Sequence, residues 1–342
     1  MQNSSVNLTK KSSALIQLAL VGALGAALAA CQPARYITHP NSNSGINQGA
    51  GGTEQGIKDF ETKVVLHTGV PAPVDITWMI DNSGSMAQEA AHVRANFQSF
   101  INSVQLEADL KVALISRVGD AGTAVRLPNP GANAIQLDRL VWSTDSLQIL
   151  ASAICPNPAP AGSACATIRS SSVNDITDIA GQLSPFLRPN ARQAFVFVTD
   201  DNSAIASSQF MTAFKEVYPN SKPAMYGFIG LDAATSPCMD SAGTEYAKLA
   251  KETGGTMYNI CEADWTEAFK KLATNVVRLA YAPVVVPADL LQGAELLTVS
   301  VNGNDLKAED YSLTPDGLFI DPSITKGLGE VTVYVRYKVK TP

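Results

Sequence analysis

The sequence has few histidines, no excess of positive charge and no hydrophobic run long enough to cross a membrane. Only three of its 342 residues are histidine, so imidazole catalysis and histidine-rich metal sites have few candidate residues. Acidic residues outnumber basic ones by 31 to 25, and the formal net charge is −6. A chain of this charge lacks the basic surface with which proteins bind nucleic acid. We therefore expect no nucleic-acid partner.

The longest apolar run is short and lies near the N-terminus. Residues 18–30 read LALVGALGAALAA after two lysines, which is typical of an export signal and shorter than the roughly 20 residues of a membrane span. The run ends in LAAC at Cys31, which resembles the bacterial lipobox. The resemblance implies a signal peptide over residues 1–30 and lipidation of Cys31, and Gln32 favours the outer membrane. The alternative is an ordinary signal peptide with an incidental cysteine.

The segment after the predicted lipidation site is rich in Asn, Ser, Gly, Gln and Pro and nearly free of large apolar residues. Such a composition cannot offset the entropic cost of ordering a backbone. We therefore assign residues 31–58 to a lipidated cysteine with a flexible tether. The protein is expected to be lipid-anchored in the cell outer membrane, facing either the periplasm or the cell surface.

From residue 74 to residue 281, apolar runs alternate with amphipathic helical patterns, including predicted helices at 145–154 and 173–187. The strand candidates, such as 74–80 and 195–198, are continuously apolar rather than alternating. This pattern predicts an α/β fold, a doubly wound and mostly parallel sheet with helices on both faces. We assign it to residues 59–282.

After residue 283 the pattern changes to alternating polar and apolar residues separated by turn sequences such as Asn-Gly and Pro-Asp-Gly. No helical pattern interrupts it. Residues 283–342 are therefore predicted to form a small antiparallel β domain, similar to a β-sandwich.

The remaining cysteines are even in number, which in an exported chain predicts two disulfides. Bridges within short loops are expected, pairing Cys155 with Cys165 and Cys238 with Cys261, although three pairings are formally open. A four-cysteine zinc site is the alternative, but the spacings lack the C-x-x-C pairs that such sites usually contain.

Polar side chains follow two of the apolar strands at the points where the strands end. Asp81 comes directly after residues 74–80 and is followed by Ser83 and Ser85, and Asp200 comes shortly after a second strand. Ligands bind outside the carboxyl ends of strands in open parallel sheets, so we expect these groups to converge. Oxygen-only ligands favour a hard divalent cation, Mg²⁺ first, with Mn²⁺ or Ca²⁺ as alternatives.

The sequence VDITWMIDNSGSM resembles the first motif of the von Willebrand factor A (vWA) domain, whose metal-ion-dependent adhesion site uses D-x-S-x-S. The resemblance implies that Asp81, Ser83 and Ser85 coordinate the metal, and that Asp200 in VFVTDDNSA does so too. Without a metal, the same residues would read as a helix N-cap cluster and a polar turn.

Two further features of the family are less directly matched. Asp201 stands where a glycine is common and adds a carboxylate to the site. The family also uses a threonine at the start of a helix between the two motifs. Before the helix predicted at residue 173, the chain has Ser171 and Ser172 instead, with Thr167 as a weaker candidate.

The resemblance implies a binding module rather than an enzyme, in which a Glu or Asp carboxylate of a protein partner fills an open position on the metal. One alternative is a structural or assembly lipoprotein whose metal only stiffens its loops. Another is a Mg²⁺-dependent phosphohydrolase with Asp81 as nucleophile, but its usual second aspartate is replaced by Ser83.

Overall fold

The computed structural model describes residues 56–65, 71–119, 122–128, 131–172, 174–232, 234–281, 283–314, 317–325 and 327–339. The predicted signal peptide, Cys31 and the predicted tether up to residue 55 lie outside the described residues. Within the described ranges, none of the helices has the length and apolar character needed to cross a membrane.

The strands and helices follow one another as β1 (Ile57–Val65), β2 (Val74–Ile80), α1 (Ala87–Gln105), β3 (Leu110–Ser116), β4 (Ala134–Asp138), α2 (Ser146–Ile154), α3 (Ala164–Ser171), β5 (Arg192–Thr199), α4 (Ser207–Val217), β6 (Ala224–Ile229), α5 (Thr244–Thr253), β7 (Met257–Asn259), α6 (Thr266–Leu279), α7 (Ala288–Leu291), β8 (Glu295–Val301), β9 (Asn304–Asp305), β10 (Tyr311–Thr314), β11 (Gly317–Ile320), α8 (Pro322–Thr325) and β12 (Glu330–Lys338). Short 3₁₀ turns cover Gly84–Met86, Thr177–Ile179 and Ala308–Asp310.

Six strands form a parallel sheet in the order β4-β3-β2-β5-β6-β7. Every residue of β2 is buried, because helices cover both faces of the sheet and leave no solvent-facing side. This explains why the strand is continuously apolar. The predicted α/β fold with a doubly wound, mostly parallel sheet is confirmed.

Two apolar cores lie on the two faces of this sheet. One contains Trp78, whose ring packs edge-on against Phe97 and Phe100 of α1 with centroids 5.0 and 5.2 Å apart. The other contains Met79 together with Phe210 of α4. Consecutive residues of β2 therefore belong to opposite cores, as the two-residue period of a strand requires.

A second, antiparallel sheet has the strand order β1-β12-β8-β9, and β10 and β11 form a separate hairpin. The predicted small antiparallel β region near the C-terminus is therefore present. Its core combines Val333 and Val335 of β12 with Val299 of β8 and Leu318 of the hairpin.

The first strand of this second sheet comes from the other end of the described chain. All nine residues of β1 pair with β12, from Ile57 opposite Lys338 to Val65 opposite Glu330. The predicted boundaries placed residues up to 58 in the tether and residues from 59 in the α/β domain, so the structure differs from them here. The pairing partner lies more than 260 residues away, and β1 alone gives only a weak alternation of charged and apolar residues.

The helix predicted at residues 173–187 also differs from the structure. Residues 174–187 contain only the 3₁₀ turn Thr177–Ile179, and the preceding helix, α3, ends at Ser171. Gly181 has φ +72°, and a Cβ there would lie 3.3 Å from the carbonyl oxygen of Cys155. A left-handed glycine followed by Pro185 interrupts a helix, which the apolar spacing did not reveal.

Two disulfides join Cys155 to Cys165 and Cys238 to Cys261, with Cα–Cα distances of 5.7 and 5.6 Å. The predicted local pairing is confirmed. The first bridge is buried between α2 and α3, whereas the second lies in surface loops after β6 and β7.

Candidate metal centre

The site predicted from the sequence lies at the carboxyl ends of two neighbouring strands. β2 and β5 pair in parallel through their whole length, and the backbone N–H of Asp81 donates to the carbonyl of Val198 at 3.0 Å. Asp81 follows β2 directly, and Asp200 follows β5 directly. The parallel register therefore brings the two aspartates to the same edge of the sheet.

Asp81 is fully buried, and the groups that donate hydrogen bonds to it carry no positive charge. Its Oδ1 accepts the backbone N–H of Ser83 at 2.7 Å, and its Oδ2 accepts the hydroxyl of Thr199 at 2.9 Å. Burial raises the pKa of Asp81 to about 6 against the effect of these hydrogen bonds, and the negative charge of Asp200 raises it further.

Asn82 fixes the turn that follows. Its backbone N–H donates to the carbonyl of Val141 at 2.8 Å, and its side-chain Nδ2 donates to the hydroxyl of Ser116 at 3.0 Å and to the carbonyl of Thr123 at 2.8 Å. This buried side chain joins the loops after β2, β3 and β4. It holds the serines that follow it in a defined position.

The two predicted serines lie at the surface of this edge. Their hydroxyl oxygens, Ser83 Oγ and Ser85 Oγ, are 3.1 Å apart. Ser85 lies in the 3₁₀ turn Gly84–Met86, and its hydroxyl also hydrogen-bonds the carboxylate of Asp200. Asp81, Ser83, Ser85 and Asp200 are thus linked by hydrogen bonds into one cluster, as predicted.

Asp200 is buried, with 2% of its surface exposed, and its Oδ1 has no hydrogen-bond partner. Burial raises the pKa of this carboxyl group, and the nearby charges of Asp240 and Asp201 raise it further. Its carbonyl oxygen accepts the N–H groups of Asp240 at 2.8 Å and Ser241 at 3.2 Å. The loop held by the Cys238–Cys261 disulfide therefore hydrogen-bonds the backbone of this aspartate.

The carboxylate of Asp201 is hydrogen-bonded by groups outside the cluster. Its Oδ1 accepts hydrogen bonds from the hydroxyl of Ser241 and from the backbone N–H of Asn202, the latter at 2.8 Å. These contacts tie two loops together. The structure places Asp201 beside the cluster but engages its carboxylate in loop packing.

Ser171 and Ser172 make no hydrogen bond to the cluster. The hydroxyl of Ser171 donates to the carbonyl of Ile168 at 3.0 Å within α3, and the hydroxyl of Ser172 is buried without a partner. Their prediction depended on a helix at residues 173–187 that the structure does not contain.

Thr144 lies at this edge instead and was missed. It lies two residues before α2, its carbonyl accepts the N–H of Ala204 at 2.8 Å, and the carbonyl of Ser143 accepts the hydroxyl of Thr199 at 3.1 Å. Thr199 is the residue that also bonds Asp81. Because the helix at 145–154 was itself predicted, a threonine just before it was a signal available in the sequence.

The cluster fits a hard divalent cation by its chemistry. It offers two buried carboxylates and several hydroxyls, and Asp200 Oδ1 is a buried acceptor without a donor. Among the described residues, neither aspartate forms an ion pair with lysine or arginine, and no group of three or more His, Cys, Asp or Glu could hold one ion. Two carboxylates with hydroxyls leave coordination positions for water, as Mg²⁺ sites usually do.

No protein-family model and no curated protein matches the sequence. Among solved structures, the chain is similar to a von Willebrand factor type A protein from Catenulispora acidiphila and to the pilus adhesin SpaC from Lactobacillus rhamnosus GG in its open conformation. Each shares 14% identity over 84% of this chain, with a TM-score of 0.37. The chain spans 62% and 41% of their respective lengths.

Proposed function

We propose that this protein is a lipid-anchored binding module of the vWA type that captures a protein partner through a divalent cation. The observation that carries the proposal is the pair of buried aspartates, Asp81 and Asp200, which meet at the carboxyl edge of a parallel sheet and form no ion pair with a lysine or arginine in the described part of the chain. Burying charge without a counter-charge is costly, so a bound cation is the arrangement that makes this edge stable when ionised.

The residues divide the work between them. Asp81 and Asp200 would supply negative charge from the buried side of the site, and Ser83, Ser85 and Thr144 would supply hydroxyl oxygens at the surface. A bound Mg²⁺ would offer an open coordination position to a Glu or Asp carboxylate of the partner. Because a partly dehydrated divalent ion attracts a carboxylate more strongly than a solvated lysine does, one such contact can anchor an interface.

The proposal includes no catalytic step. His92 is the one histidine that the structure describes, and its ring stacks on Trp265 with centroids 5.2 Å apart. It makes no hydrogen bond to the serines of the cluster, so neither serine is paired with a base as a nucleophile would be.

The anchor is proposed from the sequence. Cys31 would carry the lipid, the segment after it would act as a tether, and the cell outer membrane is the proposed location. Replacing Cys31 with serine is expected to release the protein from the membrane fraction in a detergent-partitioning assay. Persistent partitioning into detergent would place the anchor elsewhere.

The metal function is tested by calorimetric titration of Mg²⁺, Mn²⁺ and Ca²⁺ into the purified protein. Asp81→Asn is expected to abolish binding, and Asp201→Asn, whose carboxylate is engaged elsewhere, is expected to retain it. Partner capture is then compared with and without chelator. Capture that survives both the chelator and Asp81→Asn would mean that the metal is only structural, or that another surface binds the partner.

A further inference from the structure

A third carboxylate, outside the set predicted from the sequence, lies next to this cluster. Glu89 is in the first turn of α1, four residues after Ser85. Only 8% of its surface is exposed. Its Oε2 is buried and has no hydrogen-bond partner. A buried carboxylate oxygen without a donor is unusual, because the desolvation of that group is then left uncompensated.

Another unpartnered oxygen of the region belongs to Asp200, whose Oδ1 is also buried. The two carboxylates are close enough to interact: burial raises the pKa of Glu89, its own backbone N–H lowers it, and the charge of Asp200 raises it again. Glu89 thus has one oxygen that accepts its own backbone N–H and one that has no partner. The first turn of α1 therefore contains a buried acceptor without a donor, close enough to Asp200 for the two charges to interact.

Direct coordination does not account for this arrangement. Among the described residues, no three side chains of the His, Cys, Asp or Glu type come close enough to hold one ion. Glu89 and the two aspartates therefore do not form a direct three-carboxylate site in this structure. A water molecule bound to the ion is a donor of suitable chemistry for its free oxygen, because metal-bound waters are strongly polarised.

We propose that Glu89 is a positioning residue of the candidate metal centre, whose carboxylate accepts hydrogen bonds from water bound to the ion and thereby favours Mg²⁺ over Ca²⁺. This inference rests on the metal site of the proposed function. Mg²⁺ loses its water reluctantly and usually keeps several water ligands, whereas Ca²⁺ accepts more direct oxygen ligands in flexible geometry. A buried acceptor for bound water therefore contributes more to Mg²⁺ affinity.

A purely structural role for Glu89 makes a different prediction. Acidic residues in the first turn stabilise a helix through its dipole, so removing the charge would lower stability whether or not metal is present. The proposed role predicts that removing the charge of Glu89 raises stability in the absence of metal and lowers the affinity for metal. Without metal, Glu89 adds to the repulsion around Asp200, and with metal it contributes to binding.

The experiment compares Glu89→Gln with the unsubstituted protein, using Mg²⁺ alone and Ca²⁺ alone as probes in calorimetric titrations. Loss of an outer-shell partner weakens metal binding by about 10-fold or more, so we expect a loss of that size for Mg²⁺ and a smaller one for Ca²⁺. In EDTA, the urea midpoint of Glu89→Gln is expected to rise. Glu252→Gln, an exposed position on α5, serves as the control and should change none of these values.

Three results would overturn the inference. The first is unchanged Mg²⁺ affinity in Glu89→Gln, and the second is an equal loss for both ions. The third is a lower urea midpoint in EDTA, which would mark Glu89 as structural. If the unsubstituted protein binds neither ion, the proposed function fails together with the inference, and the titration of that protein identifies this case separately.

Discussion

Strand β2 has a fully buried aspartate near each end, and the two differ in how their charge is balanced. Asp75, at the amino end, accepts a hydrogen bond from Arg188 Nε at 2.7 Å and another from the backbone N–H of the same arginine. Asp81, at the carboxyl end, accepts hydrogen bonds from the backbone N–H and hydroxyl of Ser83 and from the hydroxyl of Thr199, none of which is charged. Among the described residues, Asp75 forms an ion pair with an arginine and Asp81 forms none.

The difference is the one expected between a structural carboxylate and the metal-binding carboxylate of the proposed function. Arg188 also reaches Asp109 at 2.6 Å and the carbonyl of Val74 at 3.1 Å, so it joins the amino ends of two strands. A buried charge must be paired or coordinated to be tolerated. The amino end satisfies this need through Arg188, whereas at the carboxyl end the proposed function assigns it to a divalent cation from solution.

The largest expected effect comes from breaking the internal pair. Arg188→Met should lower the free energy of unfolding by about 3–5 kcal/mol, because it leaves Asp75 charged, buried and unpaired. Urea denaturation measures the loss. The exposed pair formed by Arg336 and Asp59 is the control, since Arg336→Met should cost no more than about 1 kcal/mol. Equal losses of stability in Arg188→Met and Arg336→Met would mean that burial does not make the first ion pair more important than the second.

The second prediction concerns the carboxyl end of β2, where Mg²⁺ is proposed to bind beside Asp81. At Mg²⁺ concentrations about 100 times the dissociation constant, binding should stabilise the protein by about 2.7 kcal/mol. Urea denaturation in Mg²⁺ and in EDTA gives the difference. The effect should vanish in Asp81→Asn and persist in Asp75→Asn. A Mg²⁺ effect that is the same in both variants would place the cation at another site.

A third test neutralises each aspartate in EDTA, using the isosteric amide. Asp75→Asn should destabilise by about 1.5–3 kcal/mol, because hydrogen bonds to a charged group are lost. Asp81→Asn should raise stability slightly, since it removes a buried charge that has no counter-ion. Urea denaturation of both variants shows whether each substitution raises or lowers the free energy of unfolding. Losses of similar size would show that the carboxyl end is compensated within the chain after all.

The residues that were predictable have their signal close by in the sequence. Asp81, Ser83 and Ser85 follow an apolar strand within five residues, and the same holds for Asp200. Parallel pairing then brings the strand ends together, so the core of the site follows from local patterns and a general rule for open sheets.

The residues that were missed depend on packing that the local sequence does not encode. Glu89 reads as an ordinary acid in the first turn of a helix, and only the burial of its side chain reveals an unpartnered oxygen. β1 depends on a partner strand at the far end of the chain. The assignment of Ser171 and Ser172 depends on a helix that the apolar spacing predicts at residues 173–187, which Gly181 and Pro185 interrupt.

The smallest expected effect tests which hydroxyl group, besides those of Ser83 and Ser85, binds the proposed metal at the carboxyl end of β2. Thr144→Val keeps the shape of the side chain, and the hydrogen bond to Ala204 uses only the carbonyl of Thr144, so the fold should be retained. Loss of this oxygen should weaken Mg²⁺ binding at least about tenfold, or about 1.4 kcal/mol. Calorimetric titration measures the affinity. Ser171→Ala and Ser172→Ala should leave it unchanged, because neither hydroxyl contacts the cluster. The reverse pattern would restore the two serines as ligands and require the loop before α2 to play no part in the site.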